Sequence, residues 1–465
     1  PPTALLGPPL VQSPQPRAHL MRSERWFERL ARASYSLVFV GLLPFIALRL
    51  LYRSLAQPAY RKAWSQRFLG RVPVRLLALG AGHAETSNSL GPRLWLHAVS
   101  VGETRAAAPL LRAWLARHPG ARVMLTQTTP TGRQTAQTLF EDLLGSRVFL
   151  AYCPLDFPWA VHRFLSELRP DALVLMETEL WPNLLAACHA HQVPVALVNA
   201  RMSERALKRF RQFSWLAAPA LGGLAAVLPQ SQADAHRFQA AGANRVLEAS
   251  GSLKFDVQLD HHQIAVGQGW RSRWSHRQVW LAISTRDDEE EALLQAFAEQ
   301  RPQGVLLIVV PRHPERFDRV DKMAAGYNLR RCRRSQLPDT LDQDMQLLLG
   351  DSLGEMQAFV AASDLCLIGG SLLPLGGQNP IEACAQGRPV FFGPHMFNFE
   401  SLAQDLLDSG AGFRIASAQN FVREAYELCR SLPRLRSSGR AALDFVVARQ
   451  GATQKTLDAL DALMN

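Results

Sequence analysis

Three stretches of this chain set acids, bases or glycines where an apolar, strand-like run gives way to a helical one. Parallel α/β proteins carry their chemistry at such places. The first is Ser100-Val101-Gly102-Glu103-Thr104, just past the run RLWLHAV (93–99). Ser-x-x-Glu is a capping box, in which the glutamate satisfies backbone donors at a helix start. A second reading of the same residues is chemical. A carboxylate in a first helical turn is kept ionised by the helix dipole, and Gly102 lets a substrate come close. An ionised carboxylate there can take the proton of an attacking hydroxyl. The pattern alone admits both readings.

The second stretch is Met176-Glu177-Thr178-Glu179-Leu180-Trp181-Pro182-Asn183, which ends the run 171–178. Two acids at the carboxyl end of a strand are costly to bury without a function, and Trp181-Pro182 makes a rigid turn. A capping or salt-bridge role is the plain alternative. Asn199-Ala200-Arg201-Met202-Ser203-Glu204 repeats the theme one strand later, where a helix cap at Ser203 explains it nearly as well.

The third set lies in the second half. Pro311-Arg312-His313-Pro314 ends the run 304–310, and Gly376-Gly377-Gln378-Asn379-Pro380-Ile381-Glu382 leads into a helix with Pro380 near its first position. A helix start preceded by glycines takes a phosphate-sized anion, and a glutamate one turn in holds ribose hydroxyls. Together with Arg312 this points to a nucleotide. There is no GxxxxGK[ST] and no GxGxxG at any strand-helix turn, which disfavours an ATPase or a nicotinamide enzyme. No HExxH or clustered His/Asp set suggests a catalytic metal, and no cofactor is expected.

These residues need a scaffold, and the chain supplies its pattern. At 465 residues it is too long for one compact core. From about residue 93, short apolar runs alternate with amphipathic helical stretches: RLWLHAV, ARVMLTQT, RVFLAY, ALVLMET, PVALVNA and AAVLP. The pattern pauses over 256–269 and restarts with VWLAIS, GVLLIVV, MQLLLGD, LCLIGG and PVFFG. Runs buried on both faces with helical crossovers mean parallel sheets. The expectation is an α/β protein of two doubly wound, Rossmann-like lobes, with ligands in a cleft at the carboxyl ends of the strands. The last helices, 420–463, are expected to cross back to the first lobe.

The net charge of +11 is concentrated at one end: twelve basic residues lie before position 76, against only Glu24 and Glu28. Inside that zone, Ala33–Leu48 carries no charge and spans roughly 24 Å as a helix, short of a bilayer core. Arginines at both ends and a kink at Pro44 favour a helix lying in an anionic membrane interface. A buried core helix is the alternative. Nucleic acid is disfavoured because the basic residues bracket an apolar stretch and no reading motif accompanies them. Residues 1–20 are Pro-rich and patternless and read as a disordered leader or an upstream extension, with Met21 a plausible start. The six cysteines are scattered without a CxxC pair, which suits a reducing compartment.

Taken together, the segments resemble the transferases that move 3-deoxy-D-manno-octulosonic acid (Kdo) onto lipid A precursor, family 30 of the glycosyltransferases. The match runs from about residue 34 to the C-terminus through HAVSVGET (97–104), TPTG (129–132), METELWPN (176–183), NAR-x-S (199–203), GSLKFD (251–256), PRHPERF (311–317), GD-x-x-GE (350–355), GGSLLPLGGQNPIEA (369–383) and GPH-x-FNF (393–399). The resemblance implies a GT-B architecture. It divides the chain into a basic leader (1–32), a membrane-associating helix (33–55), an acceptor-binding domain (56–255) and a CMP-sugar-binding domain with a returning helix (256–465). It implies Glu103 as general base, and Glu177 and Lys254 as transition-state-stabilising positions. Pro311 and Arg312, Leu353, Gly354 and Glu355, and Asn379, Pro380, Ile381 and Glu382 would contact CMP. The implied reaction inverts the anomeric centre and uses no metal. Its partners are CMP-Kdo, a phosphorylated lipid A precursor and the cytoplasmic face of the inner membrane. Two segments depart from the family pattern. STHEGEE is replaced by Ser284-Thr285-Arg286-Asp287-Asp288-Glu289-Glu290, and the histidine of the glycine-rich loop by Gln378. A transferase using another nucleotide sugar, or an inactive membrane-surface homologue, are the competing readings.

Overall fold

The computed structural model describes residues 18–73, 91–274, 276–286, 288–338 and 341–464. The first 17 residues of the expected leader, Arg75 and Asp287 lie outside them. The chain divides into two compact units. One runs to Gly251 and takes in the chain from Thr453 onward; the other is Ser252–Ala452. The division falls between Gly251 and Ser252 rather than at 256, so Lys254 belongs to the second unit.

In the first unit, β1 (Arg93–His97), β2 (Arg122–Gln127), β3 (Val148–Tyr152), β4 (Ala172–Met176), β5 (Val195–Ala200) and β6 (Ala226–Pro229) form one sheet. All its pairs are parallel, in the order β3-β2-β1-β4-β5-β6. The strands are near-continuous apolar runs because helices cover both faces; every residue of β4 and β5 is buried. The chain winds outward from β1 to β3, then returns to place β4 on the other side of β1. That reversal opens a crevice at the carboxyl ends of β1 and β4.

The second unit repeats the plan. Its strands are β7 (Gln278–Thr285), β8 (Val305–Pro311), β9 (Arg331–Arg333), β10 (Leu347–Leu349), β11 (Leu365–Ile368), β12 (Val390–Phe392) and β13 (Gly412–Arg414), in the order β13-β12-β11-β7-β8-β10-β9. Its switch point lies between β7 and β11. The two strands that the apolar pattern misses, β9 and β13, are the sheet's edges. Arg-Cys-Arg and Gly-Phe-Arg are short and carry arginine, as edges that must resist further pairing do.

Two expectations about the ends need correction. Of the C-terminal helices only Ala452–Met464 returns to the first unit, where Leu457 and Leu460 are buried and Asp461 pairs with Arg117 at 3.0 Å. Ala418–Arg430 and Leu432–Val447 stay with the second. At the N-terminal end the single helix expected over 33–55 is two, Ala18–Gly41 and Leu43–Ala56, bent by 47°. Pro44 sits in the first turn of the second helix, where a missing N–H is tolerated, so the proline separates two helices instead of kinking one. Among the described residues no single helix is long and apolar enough to cross a membrane. The pair still leaves Trp26, Phe27, Leu37, Val38, Phe45, Leu48, Tyr52 and Leu55 exposed.

Candidate active site

Glu103 stands in the first turn of the helix Val101–Arg117, which follows β1. The capping box is formed: Ser100 Oγ accepts from the Glu103 amide at 3.3 Å and donates to Glu103 Oε1 at 3.0 Å, and the Val99 amide donates to Oε2 at 2.8 Å. A Cβ on exposed Gly102 would meet only Ser100 Oγ, at 3.9 Å, so the space beside this turn is open.

The electrostatics differ from the expectation of a carboxylate kept ionised by the helix dipole. Glu103 is 9% exposed, and burial pushes it up to about 7, with Glu177 and Glu179 adding like charge. The hydrogen bonds from Val99 and Ser100 offset this only in part. A carboxylate poised near neutrality suits a general base better than a fully stabilised one, because it binds a proton more readily.

Glu177 follows β4, the neighbour of β1, and holds φ at +58°, a left-handed conformation rare outside glycine and costing of order 1 kcal/mol or more. The strained position and the acid coincide at the crevice. Glu179 accepts from Trp181 Nε1 at 3.0 Å, and burial pushes its carboxyl up. Trp181 is the N-cap of the helix Pro182–Ala190 and gives it no side-chain cap. The cap comes from Asp156, a residue that sequence reasoning missed. Its carboxylate accepts from the Asn183 amide at 3.0 Å and the Leu184 amide at 2.8 Å, and Asn183 Nδ2 donates to its carbonyl at 2.7 Å. Asp156 is 2% exposed, and burial pushes it up to about 6. Ser36, on the first N-terminal helix, donates to Asn183 Oδ1 at 3.0 Å. The acid loop is therefore anchored to that helix. Nothing in the local pattern signals Asp156, because its partners are 27 and 28 residues away.

One expectation resolves to the plainer reading: Ser203 caps the helix Glu204–Gln212, accepting from the Ala206 amide at 3.1 Å.

In the second unit the residues expected to contact nucleotide line the carboxyl edge of the sheet. Pro311 ends β8, and the Arg312 amide donates to the Thr285 carbonyl at the end of β7 (2.9 Å). Leu353 is exposed, Gly354 holds φ at +82°, and Glu355 pairs with Arg334 at 2.7 Å. Asn379 Oδ1 accepts from the Ile381 amide at 3.1 Å. The expected anion-binding helix is only Ile381–Cys384, one turn, with Pro380 at its cap and not inside it. So short a helix carries little dipole. That loop is tightly packed. Gly376 and Gly377 hold φ at +92° and +75°, and a Cβ on either would fall 2.2 Å from Asn398 or Met396. Lys254 lies in the one-turn helix Leu253–Phe255 at the start of the unit.

The two departures from the family pattern turn out to be neighbours. A Cβ placed on Gly370 would lie 3.4 Å from Gln378 Nε2 and 3.6 Å from Arg286 Cδ. Asp288, where the family pattern has glycine, holds φ at +64° and keeps the glycine conformation at a cost. The retained acids explain why the segment still folds. Glu289, with no exposed surface, accepts from the amides of Gly370 (2.7 Å), Ser371 (3.1 Å) and Leu372 (3.1 Å), fastening the glycine-rich strand end. Glu290 receives Thr285 Oγ1 at 3.0 Å and Arg316 Nε at 2.9 Å.

A sequence model described as 3-deoxy-D-manno-octulosonic-acid transferase (kdotransferase) matches residues 61–257. The 3-deoxy-D-manno-octulosonic acid transferase of Bordetella pertussis is 41% identical over 93% of this chain and 99% of its own length. That of Haemophilus influenzae is 31% identical over 91% of this chain and 94% of its own. Among solved structures, a UDP-GlcNAc 2-epimerase from Neisseria meningitidis aligns over 79% of this chain and 99% of its own with a TM-score of 0.52 at 12% identity, a likeness of fold. With a two-lobe fold of this type and a relative of that identity along almost its whole length, the chain belongs to the 3-deoxy-D-manno-octulosonic acid transferase family and is a glycosyltransferase.

Proposed function

We propose that the protein transfers Kdo from CMP-Kdo to a phosphorylated lipid A precursor of the lipid IVA type, with inversion, in lipopolysaccharide biosynthesis at the cytoplasmic face of the inner membrane. Glu103 carries the reading: a carboxylate pushed up to about 7, beside open space, at the switch point of the first sheet. In the reaction Glu103 takes the proton of the acceptor hydroxyl. The freed oxygen attacks the anomeric carbon from the face opposite the phosphate, and the bond to CMP breaks with its electron pair leaving on CMP. Glu177 favours the developing positive charge on the sugar ring or orients the acceptor. Lys254 offsets the negative charge on the departing phosphate, which is the kind of electrostatic help that lowers such barriers most. Pro311, Arg312, Leu353 to Glu355 and Asn379 to Glu382 hold CMP. The exposed apolar helix pair and the basic N-terminal zone support attachment to an anionic membrane surface.

Incubation with CMP-Kdo and lipid IVA, with products resolved by mass, tests this directly. Lipid IVA extended by one or more Kdo residues is the expected result, and unchanged acceptor refutes the assignment. A second donor remains in play because Arg286 and Gln378 meet beside Gly370 in place of the family's histidines. Only a nucleotide that binds raises the melting temperature. Stabilisation by CMP supports the proposed donor, and stabilisation by UDP alone overturns it.

A further inference from the structure

The first unit holds an apolar groove lined by none of the residues placed in the transfer reaction. Its volume is about 710 Å³, with Phe27, Leu30 and Ala31 of the helix Ala18–Gly41 on one wall and Trp215, Ala218 and Pro219 of the helix Ser214–Gly222 on the other. The size is that of a small-ligand site. Its aromatic lining is exposed: Phe27 is 65% and Trp215 50% exposed. One carboxylate, Glu28, reaches it.

The surroundings are cationic. The helix Glu204–Gln212 runs directly into Ser214–Gly222 and carries exposed Arg205, Lys208, Arg209 and Arg211. Among the described residues no carboxylate lies within ion-pair distance of these four; the helix's single acid, Glu204, pairs with Arg237. Arg29 and Arg32 add charge from the facing helix. An apolar slot whose two walls continue into helices carrying exposed cations is complementary to a chain carrying an anionic head.

The groove lies near the acid loop through both of its walls. Ser34 lines it, Ser36 on the opposite face of the same helix donates to Asn183 at 3.0 Å, and the other wall, Ser214–Gly222, packs against the helix Pro182–Ala190 that follows the acid loop. A hydrocarbon chain tethered to a sugar at that loop is in reach of the groove, whereas a bulk membrane lipid has no such tether.

We propose that this groove binds one acyl chain of the phosphorylated glycolipid acceptor, with its phosphate facing Arg205, Lys208, Arg209 and Arg211. The assignment rests on the proposed lipid acceptor. Filling the slot with Ala31→Trp or Ala218→Trp tests it, because each puts an indole where the chain would lie. The readout is the ratio of kcat/KM for acylated over deacylated acceptor, both kept monomeric below their micellar concentrations. In the wild type the ratio is well above one, and each variant is expected to lower it about tenfold or more. Because it is a ratio within one protein sample, partial misfolding does not move it. An unchanged ratio in both variants, or no acyl preference in the wild type, overturns the groove while transfer itself stands. No transfer to either acceptor overturns the functional reading instead. An acceptor carrying a photoreactive group at the end of one acyl chain is expected to label residues 27–34 and 214–219. Labelling there by photoreactive phosphatidylglycerol vesicles alone assigns the groove to a bulk lipid and refutes the proposal.

Discussion

Glu103 and Glu289 both stand in the first turn of the helix that follows the first strand of their sheet, beside its switch point. Glu289 is fully buried and takes the amides of Gly370, Ser371 and Leu372 from across the switch point, with a further bond from the Arg286 amide at 3.3 Å. Glu103 is nearly as buried, yet among the described residues it accepts only from Val99 and Ser100, and Glu177 and Glu179 add like charge. The same residue type at equivalent topological places fastens the glycine-rich strand end in one lobe and is the base proposed for the reaction in the other. With both carboxylates buried, what separates them is the donors they meet: four amides at Glu289, one amide and one hydroxyl at Glu103.

Substitutions sharpen that contrast, and the largest effect is expected at Glu103. Glu103→Gln keeps the size and much of the capping geometry but removes the base, so kcat/KM for Kdo transfer should fall by about 10²–10⁴-fold with the melting temperature nearly unchanged. At the matching place in the other lobe the response is reversed in kind. Glu289→Ala strands several buried amides at once and should cost about 3 kcal/mol of stability, read in denaturant unfolding, with CMP binding weakened as the glycine-rich loop loosens. Asp156→Ala comes next, at about 2 kcal/mol, because two helix-start amides lose their acceptor. Since that cap positions the acid loop, its kcat should drop more than its KM rises. Smallest is Asp288→Gly, which relieves a left-handed aspartate and should stabilise the protein by about 1 kcal/mol in the same unfolding experiment.

Much of this was legible in the amino-acid order. Runs such as ALVLMET and GVLLIVV announce strands buried on both faces, and the order of strand and helix predicts two doubly wound lobes. Glu103 and Glu177 stood out because acids at strand ends are unusual, and METELWPN and PRHPERF carried the family. What was not legible depends on contacts distant in sequence. The capping box at Ser100 gives no sign that Glu177 and Glu179 would raise Glu103, since those charges arrive from β4. Asp156 lies in an unremarkable Pro-Leu-Asp-Phe turn, and only the folded chain sets it under the start of Pro182–Ala190. Likewise Arg286 and Gln378 are 92 positions apart and become neighbours only through the pairing of β7 with β11. Edge strands β9 and β13 escaped because arginine breaks their apolar pattern.

The central claim is that Glu103 removes the acceptor proton, and the pH dependence of kcat/KM tests it most directly. The deprotonated carboxylate is the active form, so the rate should climb with pH through a midpoint near 7 and level off above it. Removing a like charge with Glu177→Gln or Glu179→Gln should move that midpoint to lower pH, by less than burial itself displaces it, since burial is the largest cause. In Glu103→Gln the limb should disappear along with most of the rate. A limb that survives unchanged in Glu103→Gln, or transfer within about tenfold of the wild type, would contradict the assignment.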